Sequence, residues 1–217
     1  MKKEKLTITF ARQFGSGGHE VAEKTAQLLG VPFYDKELIA RAAKSSGLSE
    51  HLFDGLEEKP TNSLLYSLVM GLQSGSSTYC RYGDVTGSDN IFRIQSQVIR
   101  SVAEEGPCVI VGRCSDYILR EEPGLVNVFI HAGMDFRTER IMSRYDLKEK
   151  AAVDYITKTD KRRSSFYNFY TNKVWGKADN YDLCLNTERV GTDGAAKMIV
   201  EYVNNVIAPN REHNDDY

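Results

Sequence analysis

Apolar and polar residues alternate along Leu6-Thr7-Ile8-Thr9-Phe10, a period of two that sends successive side chains to opposite faces of a β-strand. Gly15-Ser16-Gly17-Gly18 breaks that strand. From there to about Leu29 the spacing is helical, with Val21, Thr25, Leu28 and Leu29 on one face. Gly30 is placed to end the helix as a C-terminal cap, and Val31-Pro32-Phe33-Tyr34 predicts a second, short strand. A strand, crossover helix and strand in such close succession join parallel strands, nearly always with a right-handed turn.

The same alternation returns later. Cys108-Val109-Ile110-Val111 is wholly apolar, as a strand covered on both faces should be, and residues 126–130 and 181–185 predict two more strands. Helices are predicted over 91–105 (apolar at Ile91, Ile94, Val98 and Val102), 135–145, within 148–171, and over 192–206. Five strands interleaved with helices predict a three-layer α/β domain on a parallel sheet. Between residues 41 and 89 the strands disappear. Ser49 and Asn62 are suited to N-cap two helices there, and the Gly- and Ser-rich residues 73–89 read as a loop. The expected organisation is one domain over 1–207 with an inserted helical lobe at 41–89, followed by a disordered polar tail at 208–217.

Composition narrows the class of protein. The chain has 217 residues, 41% hydrophobic and 27% charged, enough for a buried core. Its 28 Lys+Arg nearly balance 30 Asp+Glu, for a net charge of -2, so nothing calls for a nucleic-acid or membrane partner, and anion binding must come from local clustering. The N-terminus lacks an apolar signal region and no apolar run approaches membrane-spanning length, so a cytoplasmic protein is expected. The four cysteines have neither disulfide-framework nor zinc-ligand spacing, and Cys108 and Cys184 fall in apolar runs that suggest core positions. No protein metal-ligand set is predicted, and the sequence is silent on oligomeric state.

The glycine run is the chief chemical signal. Glycines between a first strand and its helix let backbone N–H groups approach an anion at a helix N-terminus. Set against the nucleotide-binding signature G-x-x-x-x-G-K-[ST], with Gly17 as the second glycine, Arg12 stands at the first glycine and Gly18 at the lysine. A plain tight turn is the competing reading. Arg113 directly follows an apolar strand, at the edge where open α/β sheets place ligands. Asp35 also follows a strand, and could equally cap the helix after it. Arg137, Arg140 and Arg144 recur at helical spacing with Glu139, which reads as a solvated face. The aromatic group Phe166, Tyr167, Phe169, Tyr170 and Trp175 reads as core.

Residues 7–20 (Thr7-Ile8-Thr9-Phe10-Ala11-Arg12-Gln13-Phe14-Gly15-Ser16-Gly17-Gly18-His19-Glu20) resemble the opening of the cytidylate-kinase-like family, a divergent relative of bacterial cytidylate kinase. Pro32 to Arg41 resembles the cytidylate-kinase stretch carrying a monophosphate-binding Asp and Arg, here Asp35 and Arg41. Val109 to Arg113 resembles a strand ending in Gly-Arg-Asp, with Cys114 in place of the Asp. Asp160-Lys161-Arg162-Arg163 falls where those kinases carry lid residues, and 168–186 is similar to the family's closing stretch.

The resemblance implies a P-loop kinase fold, with sheet order 2-3-1-4-5, an inserted substrate lobe and a lid at 146–178. It implies ATP and Mg²⁺. It places the triphosphate on Arg12, Gly15, Ser16, Gly17, Gly18, His19 and Glu20, and the acceptor on Asp35, Arg41 and Arg113. Asp160, Arg162 and Arg163 become the catalytic lid group, although that charged run could also be a solvated helix face. The expected function is transfer of the ATP γ-phosphate to a small nucleotide or phosphorylated acceptor, with Arg12 or His19 partly replacing the missing lysine. The alternative is a non-catalytic nucleotide or phosphometabolite sensor that keeps the fold.

Overall fold

The computed structural model of this chain describes residues 6–35 and 85–207. The chain divides into two units, Met1–Asp35 with Ile99–Tyr217, and Lys36–Val98. All five strands belong to the first unit: β1 (Thr7–Arg12), β2 (Phe33–Tyr34), β3 (Cys108–Val111), β4 (Leu125–His131) and β5 (Leu183–Asn186). They form one parallel sheet in the order β2-β3-β1-β4-β5. The helices are α1 (Gly18–Leu29), α2 (Val85–Glu105), α3 (Ser115–Ile118), α4 (Met134–Tyr145), α5 (Glu149–Thr171) and α6 (Thr187–Ile207). The sheet therefore has the expected order, with helices on both sides.

β1 runs through the middle, with Ile8 beside Val109 of β3 and Val126 of β4. One sheet face carries Leu6, Ile8, Phe10, Val109, Val111, Val128 and Ile130. Against it lie Val21, Ala22 and Ala26 of α1 and Ala195, Ala196, Ile199 and Val203 of α6. Alanines at the contact let both helices approach the strands closely. α1 ends as expected: Gly30 has φ 64, and its N–H reaches the carbonyls of Ala26 and Gln27. α3 packs on β1 and β4. No helix among the described residues is long and apolar enough to cross a membrane.

Several sequence expectations need adjustment. α2 begins at Val85, so residues 85–89 are helical rather than part of a 73–89 loop; one glycine, Gly87, costs only about 1 kcal/mol in a long helix. α6 contains a break at Gly191 (φ 68, ψ 171), so the regular helix starts near Thr192 as expected, behind one extra turn. Cys108 is buried, but Cys184 is exposed, because β5 is an edge strand paired only with β4. Most of the inserted lobe, with Ser49 and Asn62, and the 208–217 tail lie outside the described residues.

Ile8 is fully buried at the sheet centre. Ile8→Ala should lower unfolding free energy by about 2–5 kcal/mol, read as an earlier urea midpoint with unchanged slope.

Candidate functional site

The turn from β1 into α1 is fastened to the protein through some of its amides and leaves others without an acceptor among the described residues. The Gln13 N–H donates to the Ile130 carbonyl (2.9 Å), and the Ser16 hydroxyl donates back to the Gln13 carbonyl (2.8 Å). Thr187, at the start of α6, donates its hydroxyl to the Ser16 carbonyl at 2.6 Å. Gly15 and Gly17 take φ 82 and φ 78, the left-handed region in which a side chain would be strained. The Gly18 N–H reaches the Ser16 hydroxyl at 3.3 Å. The N–H groups of Gly15, Gly17, His19 and Glu20 meet no acceptor among the described residues. Such a set of amides at a helix start is a nest for an anion.

Phe14 fastens this loop to α4 and α5. Its N–H donates to Asp160 Oδ1 at 2.7 Å. Its carbonyl accepts from Arg137 Nη1 at 3.3 Å, and the same guanidinium nitrogen donates to Asp160 Oδ2 at 2.5 Å. The Phe14 ring joins a small core of Ile141, Ala152 and Ile156, with Tyr155 edge-on at 4.8 Å. Asp160, expected as a catalytic lid residue, is thus the carboxylate that pins the loop. Arg137 is 5% exposed and not on a solvated face: the helix turns that residue inward because its side chain completes the Asp160 pair.

Three guanidinium groups gather beside the loop. Arg163 donates Nη1 to the Arg12 carbonyl at 3.0 Å, and its guanidinium lies 5.5 Å from the Phe14 ring centre. Burial and the neighbouring Arg12 charge push the Arg163 pKa down to about 9, against Asp160 and Asp35. Burial and Arg12 likewise push Arg113 down to about 10. Burial also lowers Arg12, and Asp35 and Asp160 hold it up. All three remain cations at neutral pH, but they repel one another and share few carboxylates. Burial acts against the Asp35 carboxylate too. The hydrogen bond from His19 (Nε2 to Oδ2, 3.1 Å) and the charges of Arg12 and Arg113 outweigh that and hold it below its ordinary range.

Arg113 stands in an unusual backbone. Gly112, Arg113 and Cys114 all have positive φ (77, 62 and 55), and non-glycine residues there cost about 1–3 kcal/mol each. Cys114 is buried, and burial first, then Asp116, raises its thiol pKa. It is a neutral thiol at the position where the resemblance implies an Asp. Tyr167 of α5 donates its hydroxyl to buried Asp116 at 2.6 Å, tying that helix to α3. Tyr167 is core as expected. Phe166 and Phe169 are 39% and 56% exposed, since they lie off the face of α5 that Tyr167 turns toward α3.

The fold thus brings Arg12, His19, Asp35, Arg113, Asp160 and Arg163 together at one sheet edge. Arg162, one residue further round α5 from Arg163, reaches Thr159 Oγ1 on its own helix with Nη2 at 3.0 Å. Glu20 pairs with Arg140 at 2.9 Å. Arg41 lies outside the described residues. Sequence reasoning missed Phe14, Arg137 and Thr187; an apolar residue inside a glycine loop was the one local hint of the first. Among the described residues no three His, Cys, Asp or Glu side chains form a metal cage.

The chain belongs to the cytidylate kinase-like family, whose model matches residues 7–189. It is similar to a cytidylate kinase of Sulfurisphaera tokodaii, 22% identical over 118 residues, which is 54% of this chain and 65% of that relative's length. The chain thus spans less than two thirds of that curated relative. A crystal structure of an uncharacterized protein from Eubacterium ventriosum is 31% identical, covers 92% of this chain and 98% of that one, and has a TM-score of 0.67. A shikimate kinase from Bacteroides thetaiotaomicron shares the fold at 14% identity, with a TM-score of 0.52 over 92% of this chain and 98% of that one.

Arg137→Met should cost about 3–5 kcal/mol, because it strands the half-buried Asp160 carboxylate; urea unfolding measures this. Asp35 gives an acid-limb test. Its folded pKa lies below the ordinary value of 3.8, so its contribution is complete above about pH 4 and is lost as pH falls through the lowered value. Asp35→Asn should flatten that part of the stability–pH curve and lower the plateau above about pH 5, read from urea midpoints across the pH range.

Proposed function

We propose that this chain is an ATP-dependent phosphotransferase that moves the γ-phosphate of ATP to a small nucleotide or phosphorylated acceptor. The observation that carries the reading is the excess of cations at one sheet edge. Arg12, Arg113 and Arg163 meet there beside four N–H groups that have no acceptor among the described residues, with Asp35 and Asp160 as the nearby carboxylates. Asp160 is already committed to Arg137 and Phe14. Such a site gains most from a polyanion.

Phosphoryl transfer asks the protein to hold two anions in line and to offset charge on the moving group. When bound, ATP supplies the phosphoryl group and Mg²⁺ shields its oxygens. The residues present fit the phosphates: the amides of Gly15, Gly17 and His19 would hold them, with Arg163 closing from α5. Mg²⁺ fits as an ion that arrives on phosphate oxygens and takes one or two carboxylates, of which Asp35 is the candidate. Arg113 would fix the acceptor by bidentate contacts. An acceptor oxygen forms a bond to the γ-phosphorus as the bridging β–γ bond breaks and ADP leaves with that electron pair. An acceptor phosphate oxygen carries no proton at neutral pH, so no base is needed.

The neutral, buried Cys114 thiol gives no carboxylate for a cytosine, so cytidylate itself is not the assigned acceptor. A cytosolic setting, where ATP is plentiful, is part of the proposal. The alternative, a sensor that binds and does not transfer, is favoured by one observation: residue 18 is glycine where active loops carry lysine.

The test is ADP release with ATP, Mg²⁺ and a panel of nucleoside monophosphates and small phosphorylated compounds. With the best acceptor, Arg113→Lys should lose about 1–3 kcal/mol of transition-state stabilisation, while calorimetric ATP affinity barely changes. Wild-type turnover in Arg113→Lys would remove that residue from the site. Tight ATP binding with no turnover on any acceptor would favour the sensor.

A further inference from the structure

Resting on the reading of the loop as a triphosphate site, we infer that the loop has exchanged its cation. The guanidinium of Arg12 replaces the lysine that the phosphate-loop signature places at position 18. A Cβ on Gly18 would lie 2.5 Å from the Arg12 Cβ, 3.0 Å from its Cγ and 3.1 Å from the Ile130 Cβ. The space in which a residue-18 side chain would begin is therefore filled by the Arg12 stem. At the other end, a Cβ on Gly112 would lie 2.5 Å from Arg12 Nη1. The arginine runs along a trough kept open by two glycines, one under its stem and one under its head.

The signature has glycine at the position of Arg12 and lysine at the position of Gly18; this chain has the reverse arrangement of bulk and space. Only one of the two long cations fits. The exchange also moves the charge. A lysine at 18 would start from the first turn of α1, whereas Arg12 starts at the end of β1 and brings its head to Gly112, beside Arg113 and Arg163. The terminal phosphate would then meet a planar fork in place of a single ammonium, on the side facing the acceptor. His19, the other candidate, is committed through Nε2 to Asp35.

The experiment compares the full-length wild type with Arg12→Met, Arg12→Lys, Gly18→Lys and the double variant Arg12→Gly/Gly18→Lys. Calorimetry with inorganic tripolyphosphate, and separately with ATP, gives affinity; thermal melting reports folding. Arg12→Met should weaken tripolyphosphate binding about tenfold or more, as loss of a charge-assisted hydrogen bond predicts, and Arg12→Lys should recover part of it. Gly18→Lys alone should both melt earlier and bind worse, because two stems compete for one trough. The double variant should melt later and bind tighter than Gly18→Lys alone. Should Gly18→Lys fail to fold, Gly18→Ala adds only the clashing Cβ and should be rescued by Arg12→Gly in the same way. If wild type binds tripolyphosphate and Arg12→Met binds it equally well, or if the double variant is no better than Gly18→Lys, the exchange is wrong and the loop reading stands. If wild type binds neither tripolyphosphate nor ATP, the loop reading falls and the exchange with it.

Discussion

Phe14 is held on three sides: its N–H by Asp160, its carbonyl by Arg137, and its ring by the small core of α4 and α5. A glycine-rich turn has much backbone freedom to lose on ordering, of the order of 1–2 kcal/mol per residue, and an apolar anchor with both polar groups satisfied offsets that loss. The consequences run in both directions along the chain. Gly15, next to the anchor, is held against the backbone of Arg137. One helical turn beyond Asp160, Arg163 is brought over the Phe14 ring and onto the Arg12 carbonyl. The loop and α5 are thus parts of one packed arrangement, and the position of the arginines follows from the position of a phenylalanine.

A parallel sheet sends every strand to the same edge, and this chain uses that edge to concentrate cations. Arg12 ends β1 and Arg113 follows β3, its direct neighbour; Arg163 comes down from α5. Each guanidinium is disfavoured by burial and two of them also by Arg12. The left-handed run Gly112-Arg113-Cys114 adds backbone strain at the same place. Unfavourable charge and strained backbone persist only where surrounding structure over-determines them, and they cluster at binding and catalytic sites. Here the apolar core of β1, β3, β4, α1 and α6 supplies that determination, and an anion would relieve the repulsion.

Much of the architecture was legible in local pattern. The wholly apolar β3, the alternating β1 and the helical stripes of α1 and α4 are set by which residues must leave water, and that rule acts over a few neighbours at a time. The loop was visible for the same reason, since four residues of glycine and serine between a strand and a helix allow little else. The misjudged places share a cause. Arg137 looks like one of three arginines on a wet face, and Cys184 looks like Cys108; which one is buried depends on a partner or an edge far away in sequence. Phe166, Tyr167 and Phe169 differ in burial because α5 presents one side to the neighbouring helices α3 and α4.

The sequence by itself determined the order of strands and helices, their parallel arrangement and the place of the glycine turn, because those follow from short-range periodicity and from the handedness of crossovers. It also determined which charged groups were available. Only the tertiary structure decided how they were used: Asp160 as the loop's clasp, His19 as the partner of Asp35, Arg12 threaded past Gly18 to Gly112. Those roles depend on distances between residues up to 146 positions apart, and charge, unlike hydrophobic period, carries no local mark of its partner.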